Sequence, residues 1–333
     1  MLTPKQNYLT ILRGEIPEWI PSWYEPYMEM LSKDPGFGNP IMAPNGPEYS
    51  PWGVRFVGSG PENNFGAIPE PGNFILRDIR RWRDVIRNPD LSGVDWERMM
   101  KKKLEGKDRD NLLICTSGGD YFQTLVSFMG FEEALIAMYE EPEEVFALLD
   151  YVSQHCIAVL KQELYWLKID SYGLADDCAA ARAPFFSVDM YRQLIKPFHQ
   201  RHAELALDAG AVVERHDCGC CQQFIDDWLD MGVSSWNPAQ TSNDLKHIKE
   251  KYLHRLTLNG CWDNQGAVSM PETPDDVLMA AVEDYVASFA PGGGFTFCVG
   301  LSGEKSDPRV QRKEQLVKDY YFEHVKDYYR HGH

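Results

Sequence analysis

His216 and Cys218 stand two residues apart at the end of an apolar run, Ala211-Val212-Val213-Glu214-Arg215-His216. In a strand, positions i and i+2 point to one face, so both side chains can meet a common ligand. Cys298 ends a second such run, Phe295-Thr296-Phe297-Cys298. An imidazole and two thiolates suit zinc, which accepts nitrogen and sulfur alike, and three protein ligands leave a fourth position open for chemistry. Spacing alone equally allows a core histidine and thiols buried as small apolar groups. Cys220, Cys221 and Cys261 compete for the same role. Cys221 falls where the next helix begins and reads as structural, whereas Cys261 follows a strand end and is the strongest rival.

Strands followed by helices must position these residues. Thr3 caps a first helix with Pro4 at its first position and Gly14 at its stop. Trp19 to Tyr24 reads as a short strand. From about residue 35 to 72 the chain is rich in Pro, Gly and Asn, an irregular cover over a site. Tyr49, Trp52, Phe56, Phe65 and Phe74 argue against an exposed linker there. From Asn111 a strand–helix rhythm sets in, with strands at Leu112–Cys115, Ile169–Leu174, Ala211–His216, Ser234–Asn237, Leu256–Gly260 and Phe295–Cys298. Between them, Ser187 caps a helix running to Gly210 with a kink at Pro197, and Ser242 caps one running to about Tyr252. The alternation implies a parallel sheet with right-handed crossovers. No dinucleotide-type glycine fingerprint follows the first clear strand. The expected architecture is a (β/α)8 TIM barrel forming one domain over residues 1–333, an irregular N-terminal extension covering its mouth. Reactive groups in such a barrel gather at the carboxyl ends of the strands.

The formal net charge of −17 disfavours nucleic acid and anionic membrane surfaces as partners. The first residues lack the apolar run of a signal peptide and no later stretch is long and apolar enough to span a bilayer, so the cytoplasm is the expected compartment. Eight cysteines in so large a reduced protein read as buried thiols and metal ligands rather than disulfides.

Gly173-Leu174-Ala175-Asp176-Asp177, Ala183 to Tyr191, Trp236-Asn237-Pro238-Ala239-Gln240, Leu258-Asn259-Gly260 and Ala290-Pro291-Gly292-Gly293-Gly294 together resemble the uroporphyrinogen decarboxylase superfamily. The resemblance covers essentially the whole chain, is vague between residues 35 and 72, and implies the barrel. The superfamily holds decarboxylases and zinc-dependent, corrinoid-linked methyltransferases. Decarboxylases carry an arginine motif after the first strand, where this chain reads Trp23-Tyr24-Glu25-Pro26-Tyr27-Met28 with no arginine. The methyltransferase branch carries His-x-Cys followed far downstream by a Cys after a Gly-rich turn, which His216, Cys218 and Cys298 match.

That branch implies zinc as cofactor and cobalamin supplied by a partner corrinoid protein, since the chain lacks the Asp-x-His-x-x-Gly signature of cobalamin carriers. Two directions of methyl transfer follow. In one, a small-molecule donor, a methoxylated aromatic, loses its methyl to cobalt(I), as in O-demethylase systems. In the other, a zinc-bound thiol takes a methyl from methyl-cobalt. Aromatic residues near strand ends favour the first: Trp23, Tyr121, Trp236 and Trp262 would line a slot for a flat ring. Aromatics at strand ends also serve simply as core. Tyr24 would bond a phenolic oxygen, and Asp176 or Asp177 would orient a ligand or add a fourth one. Glu25, Asn237 and Gln240 are further substrate contacts. A tetrapyrrole-binding barrel with a closed, four-ligand structural zinc is the non-catalytic alternative.

Overall fold

In the computed structural model, residues 2–32, 34, 36–60 and 66–331 are described. Helix α1 (Pro4–Leu12) begins with the expected Thr3 cap, whose hydroxyl accepts from the Gln6 amide while the Gln6 side chain answers to the Thr3 amide. The first strand is displaced from its expected position. Trp19 to Tyr24 supplies only one parallel bridge, Ser22 to Phe297, and β1 forms later, at Met28–Met30. Proline at positions 21 and 26 removes two ladder donors and confines regular pairing to the residues beyond.

The stretch expected to be irregular contains a small antiparallel sheet of β2 (Glu48–Tyr49), β3 (Arg55–Gly58) and β4 (Ala67–Pro69). Pro35 and Phe65, both counted in that stretch, lie outside the described residues. Trp52, Val54 and Phe56 are its buried face. After the short α2 (Trp82–Val85) and α3 (Trp96–Leu104), the chain enters the regular part with β5 (Leu113–Gly118), α4 (Tyr121–Met129), α5 (Phe131–Glu140) and α6 (Pro142–Leu167). The Trp52 ring meets Phe128 of α4 and His155 of α6. The segment therefore anchors on flanking helices, and Asn39 reaches the mouth, donating to Asp120 and Thr124 at 3.0 Å each.

The rest alternates as β6 (Ser171–Ala175), α7 (Val188–Leu194), α8 (Lys196–Asp208), β7 (Val212–His216), α9 (Ile225–Asp230), β8 (Val233–Ala239), α10 (Leu245–Tyr252), β9 (Thr257–Gly260), α11 (Asp275–Phe289), β10 (Phe295–Phe297) and α12 (Pro308–Tyr320). Pro197 splits the expected long helix outright: α7 and α8 are separate, with Pro197 in the first turn of α8. Asp244, not Ser242, caps α10. The main sheet has seven strands in the order β1-β5-β6-β7-β8-β9-β10, and each pair is parallel. It is a curled sheet of the TIM-barrel kind. Where an eighth strand was expected between β10 and β1, the Ser22 bridge and a Phe297 amide bonded to Pro21 O at 2.8 Å stand instead. The segment from Pro21 to Met30 thus touches both edges of the sheet.

The interior carries a polar layer. Glu214 of β7 accepts from Tyr8 Oη at 2.7 Å and Ser171 Oγ at 2.5 Å. Asn259 donates to Tyr8 Oη at 3.0 Å and Ser235 Oγ at 2.6 Å, and accepts from Thr296. Tyr8 comes from α1, which packs with Ile11 and Leu12 against Leu113 and Cys115. A buried carboxylate is tolerated when its acceptor sites are filled. Replacing Tyr8 with Phe removes one donor from buried Glu214, and we expect a loss of about 1–3 kcal/mol in urea unfolding. An unchanged midpoint would show that this layer does not anchor α1.

Candidate metal centre

His216 ends β7, and its cross-strand neighbour on β8 is Asn237. Cys218 lies two residues on, and Asp177 lies two residues beyond β6, which pairs with β7 through Ala175 and His216. Among the described residues, donor atoms of Asp177, His216 and Cys218 all lie within 4.8 Å of one another. His216 Nε2 is 3.9 Å from Cys218 Sγ and 3.9 Å from Asp177 Oδ1. Zinc bonds of about 2.0–2.3 Å put tetrahedral donors roughly 3.3–3.8 Å apart, so this set closes on such an ion with a small contraction. The His216 and Asp177 side chains are 45% and 40% exposed, so the cluster faces open space. Its nitrogen, sulfur and oxygen donors suit a borderline divalent ion.

Two loops hold the cluster. Asp177 Oδ1 accepts from the Cys218 amide at 2.8 Å, and Gln123 of α4 donates to the Asp177 carbonyl at 3.0 Å. Gly219 has φ +92° and packs so tightly on the neighbouring turn that a Cβ would sit 2.6 Å from Ala179 O. Only glycine fits there. Asn237 Oδ1 faces His216 Nδ1 at 2.8 Å, and Gln240 Oε1 accepts from the Gly219 amide at 2.6 Å.

Beneath the loops lies a buried polar network that takes in Asp176, one of the two carboxylates expected to orient or bind a ligand. Arg215, fully buried, donates to Asp217 Oδ2 at 2.6 Å and to Asp176 O at 2.6 Å. Asp217 Oδ1 accepts from the Cys178 amide at 2.8 Å. Burial pushes Asp217 up to about 6, with Arg215 pulling the other way. Burial would lower Arg215, but Asp217 and the neighbouring Tyr191, Cys178 and Asp176 hold it above its ordinary value, so it stays charged. Asp176 Oδ2 and Oδ1 accept from the Phe122 and Gln123 amides at 2.9 and 3.0 Å, capping α4 from the side. Burial pushes Asp176 up to about 7, against the pull of Arg215 and those amides. His199 stands 3.2 Å from Asp176 and bonds Gly119 O at 2.8 Å; burial and then Arg215 hold it well below its ordinary range, so it is neutral.

The other residues singled out by sequence are dispersed. Cys298 follows β10, lies outside the 4.8 Å group, and sits 3.5 Å from Thr296 Oγ1, with its amide bonded to Tyr285 Oη at 3.1 Å. Burial pushes its thiol up to about 11. It follows the last paired residue of β10, Phe297, as Cys261 follows its partner Gly260 on β9. Cys261 is buried with φ +63°. Cys221 is buried and bonds Asp217 O and Cys218 O, as a structural thiol should. Tyr24 leans on Phe297 and Tyr321 (centroids 6.3 and 5.8 Å) and is raised, chiefly by burial. Trp23 is 53% exposed and lies beside Gly300. Trp262 is held by Ser269 Oγ and Gly300 O at 2.8 and 2.9 Å. Glu25 is engaged by Lys326 at 2.6 Å. Tyr121 and Trp236 are core: Tyr121 Oη meets His202 at 2.7 Å, and the Trp236 indole donates to Asp217 O at 3.0 Å.

A curled parallel α/β sheet with a donor cluster at its carboxyl ends defines a class of barrel proteins whose sites sit there. The family model for uroporphyrinogen decarboxylase (URO-D) matches residues 98–301, and the chain belongs to that family. No curated protein matches the sequence. Among solved structures, a methyltransferase from Methanosarcina mazei is similar over 97% of this chain and 100% of its own, with a TM-score of 0.61 and 15% identity. That likeness shows a shared fold. A sugar phosphate isomerase/epimerase from Parabacteroides distasonis covers 71% of this chain and 81% of its own (TM-score 0.33, 11% identity). A xylose isomerase domain protein from Planctomyces limnophilus covers 68% and 82% (TM-score 0.36, 14% identity). No helix among the described residues is long and apolar enough to cross a membrane.

Two outcomes follow from this geometry. Arg215→Met leaves the Asp217 charge buried without its partner and should cost about 3–5 kcal/mol in denaturant unfolding, most of it recovered in the R215M/D217L double variant. A double variant no better than the single one would refute a charge-based role. Burial pushes the Cys218 thiol up to about 12. The thiol therefore holds its proton at neutral pH, and a metal must displace it. Apparent zinc affinity should rise about tenfold per pH unit from this proton alone between pH 6.5 and 8.5, read by chelator competition. A flat profile would remove Cys218 from the ligands.

Proposed function

We propose that this protein is a zinc-dependent methyltransferase of the O-demethylase kind, moving a methyl group from a methoxylated aromatic to the cobalt(I) of a cobalamin carried by a separate corrinoid protein. The observation that carries the reading is the exposed convergence of His216 Nε2, Cys218 Sγ and Asp177 Oδ1 at the carboxyl ends of β6 and β7. By the resemblance to the methyltransferase branch, His216, Cys218 and Cys298 would hold the zinc; Cys298 stands outside the converging group, in which Asp177 is the third donor. Bound there, zinc supplies a Lewis acid for the ether oxygen, where charge develops as the carbon–oxygen bond breaks.

On the Cys298 side of the mouth, away from the converging donors, the chain's own groups would bind and orient the methyl donor. Trp23 offers an exposed indole face, and Trp262 is fixed edge-on by its two acceptors. Such faces suit a planar ring. Tyr24, raised by burial, keeps its phenolic proton at neutral pH and can give a hydrogen bond to the departing phenolate. The negative charge of the chain and the lack of an arginine among residues 23–28 weigh against a substrate with many carboxylates.

The test is methyl transfer from guaiacol or veratrole to cob(I)alamin, followed optically with and without chelator. Methylcobalamin formation that the chelator abolishes is the expected result. Rapid methylation of coenzyme M from methylcobalamin, with no methoxyarene consumed, would reverse the direction. Decarboxylation of a tetrapyrrole acetate would overturn methyl transfer altogether.

A further inference from the structure

Three carboxamides follow one another at intervals of three residues past the middle of β8: Asn237, Gln240 and Asn243. Each grips a different part of the segment carrying His216 and Cys218. Asn237 Oδ1 lies 2.8 Å from His216 Nδ1, and its backbone carbonyl accepts from the Asp217 amide at 3.1 Å. Gln240 Oε1 accepts from the Gly219 amide at 2.6 Å. Asn243 donates to Gly219 O at 2.8 Å and accepts from the Gln222 amide at 2.9 Å. Asn243 is 8% exposed, and Gln222 returns a bond from its own side chain to the Asp244 amide at 2.9 Å. The carboxamides of Asn237 and Gln240, expected to contact substrate, have their oxygens engaged in holding this segment.

We propose that Asn237 is a positioning residue that fixes His216 as the tautomer protonated at Nδ1, so that Nε2 presents its lone pair beside Cys218 Sγ and Asp177, while Gln240 and Asn243 pin the loop that follows. The inference rests on the metal reading above and deepens it. With Asn237 Oδ1 toward the ring, the amide is an acceptor and Nδ1 is the donor. A partner of this type on the outer nitrogen of a metal-binding histidine sets ring orientation and ligand basicity. Asn237 is a neutral acceptor. It leaves the imidazole a neutral ligand, whereas a carboxylate would draw the Nδ1 proton toward itself and pass negative charge to the metal. The choice of amide thus favours Lewis acidity over tightness of binding.

The experiment measures zinc affinity by competition with a chromophoric chelator, using the full-length wild-type protein and its N237D and N237L variants and no methyl donor. Aspartate can only accept, so N237D should bind zinc at least as tightly as the wild type. N237L should bind about 10- to 100-fold more weakly. Cobalt(II)-substituted N237D should show shifted ligand-field bands with its thiolate-to-metal band retained, a readout that serves even if N237L does not fold. Wild-type zinc affinity in N237L would overturn the proposal, and weaker binding of guaiacol by that variant in a separate titration would make the amide a substrate contact. Loss of affinity in N237D equal to that in N237L would overturn the accepting role. A wild type that binds zinc but transfers no methyl group removes the methyltransferase reading and leaves this one standing; a wild type that binds no zinc removes both.

Discussion

The geometry of the donor cluster depends on a buried ion pair. Arg215 and Asp217, both without exposed side-chain surface, join the loop after β6 to the loop after β7. Strand alternation makes this possible. Residues 215 and 217 turn toward the packed helices, and His216 and Cys218 turn the other way. The same alternation on the β6 side buries Asp176 and leaves Asp177 half-exposed. One parity of each loop is an anchor and the other is the site. A buried pair of this kind adds little net stability over an apolar replacement, but it tolerates only one arrangement of its hydrogen bonds. It therefore serves position: Arg215 fixes the backbone at Asp176, and the Cys218 amide, donating to Asp177 Oδ1, holds the next carboxylate toward His216.

The floor under this anchor is polar as well. Glu214, immediately before Arg215, points into the interior and is tied through Tyr8 to Asn259, and through Asn259 to Thr296. Thr296 in turn lies 3.5 Å from the Cys298 sulfur. The layer thus reaches Cys298 at one end and, at the other, Glu214, two residues before His216 on the same strand. Helix α1 contributes Tyr8 to that layer, which links the first residues of the chain to strands more than two hundred residues away.

Much of this was legible in the sequence, for local reasons. His216 and Cys218 declare themselves by their two-residue spacing at the end of an apolar run, and Asp177 by closing the strand before. The strands from β5 onward follow from apolar runs between turn residues, and α1 from its cap and proline. What stayed hidden depends on register between distant segments. Nothing local says that Asn237 pairs with His216, because that follows from how β7 meets β8, with an irregularity in the pairing. Trp236 and Tyr121 looked like walls of a slot, yet alternation and helix packing turn both inward, where an indole or phenol must find a partner and does. The small sheet of β2, β3 and β4 escaped notice because its strands are two to four residues long, too short for any periodicity.

The placement of Cys298 gives the cluster its chemical character. Asp177, His216 and Cys218 come from neighbouring strands β6 and β7, and Cys298 follows β10, three strands further along the sheet from β7. Donors on adjacent strands are held by sheet hydrogen bonds and by the Arg215 network, so their spacing is set before any ion arrives. A donor from β10 is held by different contacts, to Thr296 and Tyr285, and its distance from the others varies with the curl of the sheet. A divalent ion held by one thiolate, one imidazole and one carboxylate keeps the same net charge as one held by two thiolates and an imidazole. Exchange between Asp177 and Cys298 would alter softness and reach but not charge. In both sets the imidazole is the nitrogen member, with the Asn237 amide 2.8 Å behind its Nδ1.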